Sequence, residues 1–121
     1  MNLTKVSAAA VVLAAIAWGS APVKEAQAQE QCGRASWYAL TSMTASGEQM
    51  DPAKLTAAHR HLDFGTKVKV INQNNGREVV VRINDRGPFI HNRLIDLSKA
   101  AANELGFINA GVTSICYQII G

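Results

Sequence analysis

From residue 34 onward the chain alternates short strand signals with turn residues, a pattern that points to a small closed β fold. Arg34 to Ala39 carries Trp37 and Tyr38, Lys67 to Asn72 alternates lysine with valine, and Glu78 to Ile83 is rich in valine. A last strand is expected from Val112 to Ile120. β-Branched and aromatic residues suit a pleated, half-buried surface, and period-two alternation places Val68, Val70, Val79 and Val81 on one core face. Asn75-Gly76, between the second and third segments, predicts a two-residue hairpin, because both central positions of a primed turn need positive φ. One helix is expected: Ser98 caps it, Lys99 to Leu105 forms its alanine-rich body, and Gly106 supplies the left-handed residue that ends it. So short a helix is not stable alone and has to pack on the strands. A closed barrel leaves fewer unpaired strand edges than an open sheet.

The first residues stand apart from this pattern. Lys5 is followed by an uncharged run from Val6 to Trp18, and Ala26-Gln27-Ala28 ends the segment with a small-x-small site. This reads as a signal peptide over residues 1–28, with one domain over 29–121. Gln29-Glu30-Gln31 before Cys32 is not a lipid-attachment site. The expected product is therefore soluble, exported to the periplasm or cell exterior, with no integral membrane segment after cleavage. Without Lys5, Lys24 and Glu25 the chain carries ten basic and eight acidic residues, a net charge of about +2. No lysine or arginine run is present, which excludes a nucleic-acid footprint. No repeat of 20 to 50 residues divides the chain, and a monomer is expected.

Export also bears on the two cysteines, Cys32 and Cys116. In an oxidising compartment such a pair is expected to bridge, tying the first strand to the last; the competing role, a catalytic thiol, lacks a nucleophile motif around either residue.

The polar side chains that carry chemistry gather in two loops, Ser42 to Lys54 and Asn84 to Arg93, both dense in Gly, Pro, Asn, Asp and Ser. Glu48 follows Ser46 and Gly47; Asp85 opens Asp85-Arg86-Gly87-Pro88. Each carboxylate is either a functional group on a constrained loop or an acceptor for nearby backbone N–H groups. His59 emerges from the apolar stretch Leu55 to Ala58, placed either to orient a carboxylate or to serve as a hydrogen-bonded structural imidazole. His59 and His61 have the spacing for one strand face, and a metal there would take a third ligand from His91, Glu48 or Asp85, although no ligand motif accompanies them. No metal or other cofactor is expected. Trp37 and Tyr38, being adjacent, should point to opposite faces, one into the core and one into a groove. Phe89 is open to packing or to stacking on a sugar ring. Arg86 and Arg93 offer planar forks to hydroxyls or carboxylates, or pair with Asp85 or Asp96.

Taken in order, these pieces form a longer signature: Ala35-Ser36-Trp37-Tyr38, Thr44-Ala45-Ser46-Gly47-Glu48, Leu55-Thr56-Ala57-Ala58-His59, Phe64-Gly65-Thr66, Val81-Arg82-Ile83-Asn84-Asp85-Arg86-Gly87-Pro88 and Ile95-Asp96-Leu97-Ser98. The sequence resembles the rare lipoprotein A family from about Gly33 to its C-terminus. The resemblance implies a mainly β fold, a six-stranded double-psi β-barrel with one short helix. It also implies a lytic transglycosylase acting on peptidoglycan glycan strands poor in peptide, with Glu48, His59 and Asp85 on the catalytic positions. In that scheme Asp85 is the acid/base, Glu48 steadies the oxocarbenium-like charge, and His59 holds a carboxylate through a hydrogen bond. Trp37, Tyr38, Ser46, Arg86, Phe89 and Arg93 are the expected substrate contacts. Two positions depart from the family pattern: Asp63 replaces a usual proline, and Asn92 a frequent glycine before the arginine. The alternative function is a non-catalytic, expansin-like wall-binding module.

Overall fold

The computed structural model describes residues 30–121; the signal peptide expected over 1–28 lies outside the described residues. Six strands, β1 (Gln31–Tyr38), β2 (Thr56–Ala58), β3 (Lys67–Asn72), β4 (Glu78–Asp85), β5 (Arg93–Ser98) and β6 (Val112–Ile119), close into a barrel in the order β1-β5-β2-β4-β3-β6. The pairs β1 with β5 and β2 with β4 are parallel and flank the antiparallel β5-β2 pair; the other three pairs are antiparallel. Helix α1 (Lys99–Leu105) packs its buried Ala101, Ala102 and Leu105 on the strands. Val68, Val70, Val79 and Val81 all point into the core, beside Ile83, Ile95, Leu97 and Ile115. Each such side chain removed from water contributes about 1.5–3 kcal/mol.

Helix α1 ends as its residues require. Ser98 accepts a hydrogen bond from the Ala101 N–H, and Gly106 takes the left-handed conformation at φ 78°. The Leu105 carbonyl, left without a partner within the helix, accepts from Asn72 Nδ2 at 2.8 Å and Asn75 Nδ2 at 3.0 Å. Cys32 and Cys116 are register partners on β1 and β6 and form the expected disulfide.

Two local expectations are corrected, and one strand is added. Asn75-Gly76 does not form a two-residue primed turn: the Asn72 N–H bonds to the Arg77 carbonyl, and Gly76 alone takes positive φ. The loop spans four residues, because the Asn72 side chain accepts from the Asn74 N–H, and the Asn75 side chain from the Arg77 N–H, folding the turn from within. Arg93–Ser98 is a further strand, with Ile95 and Leu97 fully buried and Asp96 between them accepting from Ser36 across the β1-β5 pair. β4 also runs two residues past the valine-rich segment, so Asn84 and Asp85 belong to a strand and not to a loop. Asn92, where glycine is frequent in the family pattern, has φ 69°, a conformation that asparagine tolerates better than most residues.

Candidate active site

Strand β4 carries the centre of the site. Its pairing with β2 matches Ala57 to Ile83 but Ala58 to Asp85, so Asn84 is an extra residue at a bulge. Such an insertion shifts the alternation by one. Asp85 therefore takes the phase of Arg82 instead of that of the core-facing Val81 and Ile83.

The Glu48 turn is fastened to this strand end. Thr44 and Glu48 close it through N–H to carbonyl (2.8 Å) and hydroxyl to carbonyl (2.5 Å) hydrogen bonds, with Gly47 at φ 91°. The Ala45 N–H donates to Asp85 Oδ1 at 2.9 Å, and the Ser46 N–H to the Asn84 carbonyl at 3.3 Å. The two carboxylates expected to act together thus lie on segments bonded directly to each other.

Their partners differ in kind. Glu48 is held by Arg82 Nη2, at 3.1 Å from Oε1 and 2.9 Å from Oε2, and by Asn84 Nδ2 at 2.5 Å from Oε1. Those bonds, Asn84 foremost and Arg82 next, hold the Glu48 carboxyl below the ordinary glutamate range. Asp85 Oδ1 accepts from the N–H groups of Ala45 and Arg86, both at 2.9 Å, and Oδ2 accepts from the Tyr38 hydroxyl at 3.0 Å. Burial, and then the Asp85 charge, push the Tyr38 phenol well above its ordinary range, so it stays protonated. Asn84 Oδ1 is buried and has no partner among the described residues. Leaving such an acceptor unmet costs roughly 1–3 kcal/mol, which marks Asn84 as placed for its other end.

His59 is brought to the site by its backbone. The imidazole is fully buried: Nδ1 accepts from the N–H groups of His61 and Leu62, both at 3.2 Å, and Nε2 lies 2.9 Å from the Tyr117 hydroxyl. The two N–H donors place the proton on Nε2, so Nε2 donates to Tyr117. The expectation that this ring bonds a carboxylate is thereby corrected, because both nitrogens are spent inside the barrel. The His59 N–H donates instead to the Asp85 carbonyl at 3.1 Å, and the His59 carbonyl accepts from Arg86 Nη1 at 3.2 Å. Neither nitrogen is left to bind a metal. Among the described residues, the grouping of metal-ligand side chains is Glu30 with Cys32 and Cys116, whose sulfurs are bonded to each other.

Burial, followed by the charges of His61, Arg60 and Arg86, lowers the His59 pKa from 6.5 to about 4. Between these values the unfolded chain binds a proton that the folded one refuses. The stability linked to His59 is therefore present above pH 6.5 and is lost as the pH falls towards 4, on the order of 3 kcal/mol at 1.36 kcal/mol per unit. Urea unfolding of wild type and His59→Gln across this range should show a steeper fall for wild type. Parallel curves would mean that His59 binds its proton as readily in the folded protein.

The remaining expected contacts divide. Trp37 is half-buried, packs against the core and donates its indole N–H to the Ile108 carbonyl at 3.2 Å. Tyr38 spends its hydroxyl on Asp85. The Arg86 guanidinium lies 4.0 Å above the Phe64 ring and donates through Nη1 to the His59 and Leu62 carbonyls, which ties it to the loop. Neither Arg86 nor Arg93 pairs with Asp85 or Asp96; the ion pair among the described residues is Arg82 with Glu48. Arg93 is half-buried on β5, and its carbonyl accepts from Arg60 Nη1 at 2.6 Å. Ser46 is exposed beside Glu48, and Phe89 (80% exposed) and Ile90 (61% exposed) crown the loop after Asp85. His91 is exposed on the same loop.

Sequence reasoning passed over Arg82 and Asn84. Their spacing of two on β4 was the signal that both could meet one partner.

Fold and site together define a double-psi β-barrel with two carboxylates fastened side by side on its surface. The family model described as "Lytic transglycolase" matches residues 30–117. The chain belongs to this family, as the motif resemblance to rare lipoprotein A implies. It is 56% identical over 78 residues to a probable endolytic peptidoglycan transglycosylase RlpA of Nostoc sp., covering 64% of this chain and 21% of that protein. It is 47% identical over 92 residues to the endolytic peptidoglycan transglycosylase RlpA of Campylobacter jejuni, covering 74% and 34%. The chain thus spans about a third or less of the length of these relatives. Among solved structures it is similar to Streptomyces papain inhibitor, with a TM-score of 0.66 and 24% identity over 77% of this chain and 96% of that one. A Clavibacter michiganensis expansin gives a TM-score of 0.61 and 24% identity over 76% and 50%. At such identity these two speak for the barrel alone.

Proposed function

We propose that the protein is an exported lytic transglycosylase that cleaves the β-1,4 bond between MurNAc and GlcNAc in peptide-poor peptidoglycan strands, leaving 1,6-anhydro ends. The observation that carries this reading is the pair Glu48 and Asp85, fastened together by the Ala45 and Asn84 hydrogen bonds and half-exposed on one surface. Carboxyl pairs are what most enzymes use to break glycosidic bonds through an oxocarbenium-like state. The names of the relatives agree with it. Asp85 donates a proton to the leaving oxygen as the bond to C1 breaks, then takes one from the C6 hydroxyl as that oxygen closes on C1. Glu48, held as an anion by Arg82 and Asn84, steadies the positive charge between these steps. His59 serves as a positioning residue, through its backbone bond to Asp85. Ser46, Phe89 and Arg93 are left as the sugar contacts, with Phe89 offering its exposed ring face.

Export follows from the leader read over residues 1–28, with cleavage before Gln29. Among the described residues no helix is long and apolar enough to cross a membrane.

Incubating residues 29–121 with amidase-stripped sacculi should release fragments with 1,6-anhydro ends, detected by mass spectrometry. Reducing ends would mean hydrolysis. Binding without release would favour the expansin-like module, whose barrel this chain shares.

A further inference from the structure

The hydrogen-bond partners of the two carboxylates differ in whether they can reverse. Everything bonded to the Glu48 carboxylate is a donor that cannot accept at the same atom: a guanidinium nitrogen of Arg82 and the amide nitrogen of Asn84. The same holds for Asp85 Oδ1, which faces two backbone N–H groups. Glu48 Oε1 and Asp85 Oδ1 each accept two hydrogens already, which fills both lone pairs, and a proton on Glu48 Oε2 would cancel the charge that pairs with Arg82 there. Asp85 Oδ2 is different, because its partner among the described residues is the Tyr38 hydroxyl. A hydroxyl donates to a carboxylate and, after rotating about its C–O bond, accepts from a carboxylic acid. Tyr38 is the last residue of β1, held in register opposite Ser98 of β5, so the strand fixes this hydroxyl against Asp85.

We infer that Tyr38 is a positioning residue, not a sugar contact, and that it makes Oδ2 of Asp85 the proton-carrying oxygen of the site while Glu48 remains an anion. The inference rests on the reading of Asp85 as acid/base. In the acid step the Oδ2–H turns from Tyr38 to the glycosidic oxygen, the O–H bond breaks as its proton passes to that oxygen, and that oxygen leaves C1 with the bonding pair. Tyr38 then turns from acceptor to donor. In the base step Oδ2 takes the proton of the C6 hydroxyl as O6 bonds to C1, and Tyr38 turns back. The atoms balance with no other reactant. The phenol stays protonated because burial and the neighbouring Asp85 disfavour the phenolate.

Tyr38→Phe removes the hydroxyl and keeps the ring. Its kcat for anhydro-end release should fall about 10- to 100-fold, the worth of a hydrogen bond to a charged group, with KM held and the melting temperature near wild type. A raised KM at unchanged kcat would make Tyr38 a sugar contact and overturn the inference. So would unchanged values of both.

A second measurement does not depend on turnover. The acid-minus-neutral infrared difference spectrum should contain a carboxylic C=O band that Asp85→Asn removes and that Tyr38→Phe shifts. A band unmoved by Tyr38→Phe overturns the inference even if the wild type proves inactive. A wild type that binds strands but releases nothing, with the band shifted, would remove the transglycosylase reading and leave the Tyr38 partnership standing.

Discussion

Asp85→Asn is expected to lower kcat for anhydro-end release about 10²–10⁴-fold, the range for losing a general acid/base, and to leave binding to stripped glycan strands intact. The asparagine amide fits this place unusually well. Its oxygen can take the Oδ1 position and keep the Ala45 and Arg86 N–H donors, and its NH₂ can donate to Tyr38, whose hydroxyl accepts as readily as it donates. The turn that carries Glu48 stays fastened, so lost activity cannot be assigned to a collapsed loop. The measurement is fragment release from amidase-stripped sacculi alongside a pull-down on the same material. A variant that still cuts removes Asp85 from the chemistry. One that folds but no longer binds makes Asp85 a group that holds sugar hydroxyls.

How much of this was legible in the sequence depends on whether local chemistry or distant contacts decide each feature. The valines of β3 and β4, the Ser98 and Gly106 ends of α1, and the disulfide follow from alternation, capping and compartment, and the structure has each of them. The Asn75-Gly76 turn was misread because side chains of its own loop compete with the two-residue form. β5 is short, and the apolar Leu94 beside Ile95 blurs its period; what fixes it is the β1 pairing, where Asp96 meets Ser36 sixty positions away.

At the site, the motif order named both carboxylates, but no local pattern reveals the bulge at Asn84 or the direction of the His59 ring. A histidine leaving an apolar strand reads the same whether its ring turns outwards to a carboxylate or inwards to Tyr117. That choice is made by the N–H groups of His61 and Leu62, which the chain presents only once the turn after β2 has formed. Arg82 and Asn84 escaped for a related reason. Their importance lies in Glu48, which precedes them by more than thirty residues and meets them only when the barrel closes.

Replacing both cysteines by alanine should cost about 4–5 kcal/mol, because the bridge closes a loop with a sequence separation of 84 and the entropy it removes from the unfolded chain grows with loop length. Small domains have roughly 5–15 kcal/mol in all, so the loss takes much of the margin, and at about 4–8 °C per kcal/mol the melting temperature should drop by more than about 15 °C. The folded barrel itself should change little. Cys32 is exposed and Cys116 lies outside the main hydrophobic cluster, while the β1-β6 ladder runs past the bridge through Gly33, Arg34 and Ala35 to Ser36. The expected signature is thus a lower denaturant midpoint with native circular dichroism retained at low temperature. Thiol labelling of unreduced, unfolded wild type should find no reactive cysteine, and two labelled thiols would contradict the bridge. With the bridge confirmed, a cost below about 1 kcal/mol would show that the unfolded chain already keeps its ends together, and the closing strands β1 and β6 would then hold the barrel by their own pairing.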